Sequence, residues 1–69
     1  MPPKVREIAL VIFKTDQNPN LFGVQCSKWE QGWKHSSAKI ETGGVVFETQ
    51  GMRPVLVPMS GIKQIEFKV

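Results

Sequence analysis

The chain has one cysteine, Cys26, and one histidine, His35, in 69 residues. A single thiol excludes a disulfide within the chain. One cysteine with one histidine also falls short of the ligand set of a structural zinc site. The longest apolar run, residues 8–13, is too short for a membrane span and is not framed as a signal peptide. There is no internal repeat and no low-complexity tract. Gly43-Gly44 is not followed by Gly-Lys-Ser/Thr, which excludes a phosphate loop. The acids Glu7, Asp16, Glu30, Glu41, Glu48 and Glu66 form no recognisable pair and read as solvated or ion-paired surface. A Cys26–His35 dyad would need an accessible, electropositive thiol. Cys26 instead alternates with Phe22 and Val24 and reads as a packing residue. No catalytic residue, metal or cofactor is therefore expected, and the chain is read as non-enzymatic.

The apolar content of 41% and charged content of 22% describe an ordinary globular domain. Residues 1–69 are expected to form one domain with a loose start at residues 1–3. A domain this small buries only ~60% of the surface its unfolded chain exposes. A thin core with open strand edges favours a homo-oligomer. The lone thiol suits a reducing, cytoplasmic setting. Nine Lys and Arg against six Asp and Glu give a net charge of +3. That excess suits nucleic acid, an acidic protein partner or simple solubility.

Residues 4–14 read as a first strand, rich in Val, Ile and Phe, with both faces apolar along residues 8–13. A strand of that kind is central or folded over a core. Residues 16–20 are a turn, and residues 21–28 a second strand with Phe22, Val24 and Cys26 on one face. In Trp29-Glu30-Gln31-Gly32-Trp33, a left-handed Gly32 would close a hairpin with the two tryptophans opposed. Strands follow at residues 38–42, 45–49 and 52–58, joined by Gly43-Gly44 and Gln50-Gly51 turns. Two-residue turns put Ile40 opposite Phe47, Lys39 opposite Glu48, and Glu48 opposite Arg53. Pro54 marks an edge strand. Residues 58–61 form one short turn, and residues 62–69 alternate as the closing strand. The expected fold is all-β: a small five- to six-stranded SH3-like or Sm-like barrel, with an open sandwich or strand-exchanged dimer as alternatives.

The closing third carries Val57, Pro58, Ser60, Ile62 and Ile65. This hairpin, apolar-Pro-x-Ser-x-Ile step and final strand resemble the ends of small phage and mobile-element β-rich proteins. Bacterial PH-like and SH3-like domains close in comparable ways. The resemblance implies a small barrel and a phage origin, and it implies no active site.

The distinctive cluster is Lys28, Trp29, Trp33, Lys34 and His35, with Lys39 nearby. Aromatic rings interleaved with cations suit single-stranded nucleic acid, because bases stack on the rings and lysines neutralise phosphates. The leading expectation is a single-stranded nucleic-acid-binding protein using these six residues. The same set also suits a hot spot for a host protein, where tryptophan is enriched. A third reading is a structural oligomeric component. A further alternative is that both tryptophans cap the core while the lysines solvate its rim.

Overall fold

The computed structural model describes residues 6–69, with the side chain of Lys34 outside the description. Expectations for residues 1–5, including the loose start and the first residues of the opening strand, lie outside the described residues. All regular structure in the described residues is strand or short 3₁₀ turn. The strands are β1 (Ile8–Phe13), β2 (Asn20–Leu21), β3 (Val24–Gln25), β4 (Lys28–Glu30), β5 (Ser36–Glu41), β6 (Gly44–Thr49), β7 (Val55–Pro58) and β8 (Ile62–Phe67). The all-β expectation holds. The strands form a sheet ordered β4-β1-β8, a β2-β3 hairpin and a sheet ordered β5-β6-β7. They do not close into one barrel.

β1 is the central strand of its sheet, in keeping with its two apolar faces. Its core residues Ile8, Val11 and Phe13 are not evenly spaced, and a register shift explains why. Ile8 pairs with Phe67 and Leu10 with Glu66, so Ala9 is an extra residue on β1. That bulge turns Ile8 and Val11, three positions apart, to the same face. A second shift at the other end brings both Ile62 and Ile65 of β8 against the core.

The two larger sheets share one core. Ile8, Val11, Phe13 and Trp29 come from one side, Val45, Phe47 and Val57 from the other, and Leu21 from the hairpin. Phe47 joins the halves, with its ring centroid 5.7 Å from Phe13 and 5.7 Å from Trp29. The inclined ring planes, at 65° and 60°, suit the edge-to-face preference of aromatic pairs.

The second expected strand is broken into three. Phe22 and Gly23 have φ of 53° and 85°, and Leu21 pairs with Val24. Two consecutive positive φ values make a tight primed hairpin turn, so Phe22 does not lie on a strand. A bulky residue rarely adopts this conformation. Its ring stands 6.3 Å from that of Trp33, a contact that offsets the backbone cost. Cys26 follows the hairpin, half-buried, and its thiol donates to the Pro19 carbonyl at 3.9 Å.

The β5-β6-β7 meander forms with a different register. Ala38, not Ile40, faces Phe47, and Ser37, not Lys39, faces Glu48. The turn sits at Thr42-Gly43, with Gly43 at φ 90°, while Gly44 opens β6. Gly44 serves another purpose: a Cβ there would collide with the Val57 carbonyl oxygen. The absent side chain lets β7 approach. β7 starts only at Val55, so Arg53 lies outside the ladder and does not face Glu48. Pro54 precedes β7, an edge strand as expected. The expected short turn is the 3₁₀ turn Met59–Gly61, tied to the β5–β6 turn by a 3.1 Å bond from the Met59 N–H to the Gly43 carbonyl.

Candidate binding surface

The tryptophan hairpin does not form. β4 pairs with β1, setting Trp29 opposite Val11 and Lys28 opposite Ile12. Strand alternation then sends Trp29 into the core, 1% exposed, while Lys28 and Glu30 face outward. Gly32 does take the left-handed conformation, at φ 83°. The chain then enters a 3₁₀ turn, Trp33–His35, instead of returning along β4. Trp33 is half-buried on Phe22, apart from Trp29. A base cannot stack on a fully buried ring, so the expected two-ring platform is not present.

The six expected residues divide between two places. Lys28 and Trp33 share a shallow depression of about 290 Å³ with Gln25, Cys26, Ser27 and Glu30. There the Lys28 ammonium lies 2.7 Å from the Glu30 carboxylate. His35 is exposed with φ 57°, and Lys34 belongs to the same 3₁₀ turn. Trp29 and Lys39 line a different and larger groove.

That groove, about 640 Å³, lies between β5 and the end of the β4-β1-β8 sheet. Consecutive β5 residues from Ser36 to Ile40 line it. Successive side chains of a strand point to opposite faces, so a groove touching all of them follows the strand's edge. β5 is an edge strand, paired to β6 on one side. Ile8 and Phe67, themselves cross-strand partners, form apolar wall opposite β5. Phe67 is 40% exposed and Ile40 49%, which leaves apolar surface at both ends open to an occupant.

Three polar side chains of the groove, Arg6, Trp29 and Lys39, can only donate, while Gln31, Ser36 and Ser37 can donate or accept. Ser36 is buried on the inward face of β5, and among the described residues neither its Oγ nor the Trp29 Nε1 has a hydrogen-bond partner. Arg6 and Lys39 supply two cations. The one acid, Glu7, is already 3.5 Å from the Lys68 ammonium. Ser36 was readable as an inward hydroxyl once the strand is extended back from Ala38. Arg6 and Phe67 reach the groove only through the β1–β8 pairing, which no local signal reveals.

Among the described residues, no cluster of His, Cys, Asp and Glu could hold a metal ion. No helix there is long and apolar enough to cross a membrane. No protein-family model, curated protein or solved structure matches the chain.

Proposed function

We propose that this chain is a non-enzymatic protein-binding domain that accepts an extended segment of its partner along the edge of β5 that no described strand pairs with. The observation that carries this reading is the groove of about 640 Å³ along that edge, with apolar surface facing it. An added strand gains main-chain hydrogen bonds from the edge, and its alternate side chains gain specificity from the groove.

The edges of β7 and β4 are less inviting. β7 is four residues long, ends in Pro58 and follows Pro54. β4 has three residues and carries the Lys28–Glu30 pair. Proline, shortness and charge are the usual devices that blunt a strand edge. β5 and β8 each have six residues and no proline, and of these two edges only β5 is followed along its length by the groove, which β8 meets at Phe67 alone. Burial of Trp29 weighs against the nucleic-acid reading, since it removes one of the two rings that reading relied on.

Backbone amide resonances provide the test. The neutral extended peptide acetyl-Thr-Val-Thr-Val-Thr-amide should shift and protect amides of Ser36–Glu41, while oligo-dT leaves them unmoved. Shifts confined to Lys28, Trp33 and His35 on adding oligo-dT, with β5 silent to the peptide, would overturn the reading in favour of nucleic acid.

A further inference from the structure

We infer that the groove beside β5 contains a carboxylate site, so that the preferred occupant is an extended polypeptide with an acidic group seated on Trp29 and Ser36. This inference rests on the strand-accepting reading of β5. Its basis is the chemistry of the groove's polar atoms. The indole N–H of Trp29 can only donate. The Ser36 hydroxyl can donate, and the Arg6 and Lys39 side chains can only donate. A group that only accepts, carrying negative charge, complements all four.

Two features distinguish this set from ordinary surface. Trp29 is 1% exposed and Ser36 7%, so their polar atoms are removed from water, yet neither has a partner among the described residues. Buried polar atoms in folded proteins are nearly always hydrogen-bonded, and two exceptions on one groove call for an explanation. Arg6 and Lys39 carry no salt bridge among the described residues, and the one acid of the groove, Glu7, has the Lys68 ammonium 3.5 Å away. The local field therefore favours an anion. Hydrogen bonds to an ionised acceptor are about twice as strong as neutral ones, and stronger still away from water. Seating the carboxylate requires the groups that cover these two atoms to yield, and a ligand can drive that shift by its preference for the opened form.

A carboxylate is favoured over a phosphate because the groove follows a strand edge, which pairs with peptide backbone. The acid can be an Asp or Glu side chain or a terminal carboxylate. Separate probes distinguish these sources.

The protein has two tryptophans, so its nitrogen–proton spectrum has two indole resonances, and Trp33 is an internal control. Three probes are compared: acetyl-Thr-Val-Glu-Val-Thr-amide, its Gln counterpart, and acetyl-Thr-Val-Thr-Val with a free C-terminus. The Glu peptide or the free acid should move the Trp29 indole proton downfield and leave Trp33 in place. The Gln peptide should bind at least about tenfold more weakly than Glu, as expected for losing hydrogen bonds to a charged group. Lys39→Gln should weaken the Glu peptide roughly threefold and reduce its salt dependence.

Ser36→Ala should weaken the Glu peptide while leaving the free protein at least as stable, because it removes a buried hydroxyl without a partner. Equal binding of Glu and Gln peptides, with β5 amides shifting for both, would overturn the carboxylate site and leave the strand-accepting edge standing. No β5 response to any probe would overturn both. A Trp29 shift produced by oligo-dT and by none of the peptides would overturn the polypeptide assignment.

Discussion

Replacing Trp29 with Phe should cost far less stability than replacing it with Ala, and the unpartnered indole nitrogen is the reason. A tryptophan side chain buries roughly 150–250 Å². At ~25 cal/mol/Å² that is about 4–6 kcal/mol of transfer free energy. Truncating a core tryptophan to Ala costs about 3–5 kcal/mol in practice. Here truncation also removes a buried donor without a partner, whose desolvation costs about 1–3 kcal/mol. The net loss for Trp29→Ala is about 0–4 kcal/mol, centred near 2. A domain of this length has only about 3–10 kcal/mol in total. Trp29→Phe retains a six-membered ring to pack near Phe47 and loses roughly 1–2 kcal/mol of apolar burial. Loss of the N–H offsets most of that, so the variant should stay within about 1 kcal/mol of the parent. Urea denaturation followed by far-ultraviolet circular dichroism reads both values without depending on tryptophan emission. If Trp29→Phe destabilises as much as Trp29→Ala, the indole nitrogen has a partner after all. The reasoning here and the carboxylate site would then fall together.

Two further perturbations test other parts of the fold. Gly44→Ala should cost about 3 kcal/mol, the upper end for overpacking, because its Cβ would meet the backbone of Val57; that lowers the melting temperature by roughly 12–24 °C. Gly43→Ala meets open space but has φ 90°, so only conformational strain of about 1–2 kcal/mol is expected, and equal costs at the two positions would refute the distinction. Without a peptide, the β5 edge should pair weakly with a second copy, so sedimentation should show concentration-dependent dimer that the Glu-containing peptide dissolves. Dimer unaffected by saturating peptide would place self-association on another surface.

Much of the backbone was legible because its signals are local. Branched residues on both faces marked β1 as a central strand, and Gly32, Gly43 and Gly51 all adopt positive φ at turns. The 3₁₀ turn at Met59–Gly61 sits inside the interruption read from Pro58 to Gly61. Register was not legible for the β5–β6 hairpin. Either Gly43 or Gly44 could take the left-handed position, and what decides between them is contact with β7, a non-local fact. The Phe22 turn was hidden for a similar reason. Phenylalanine is not a turn former, and here it is retained by the ring of Trp33.

The same limit governed the site. Aromatic and basic residues close in sequence were read as one surface, yet the partner of β4 is β1 across a separation of nearly twenty residues. That pairing decides which of Lys28, Trp29 and Glu30 faces water, and it places Trp29 in the core. A strand of three residues cannot declare its inward face from its own sequence when charged residues flank one aromatic, except by the rule that the aromatic goes in. That rule favours the core-capping alternative for Trp29. It does not reach the β5 edge, because an edge is defined by the strand that fails to pair there. Ser36 carries a local trace: a hydroxyl in phase with Ala38 and Ile40, facing a core that provides it no partner among the described residues. An inward polar residue of that kind either destabilises the fold without return or meets something beyond the described residues. The groove lined by Arg6 and Lys39 favours the second.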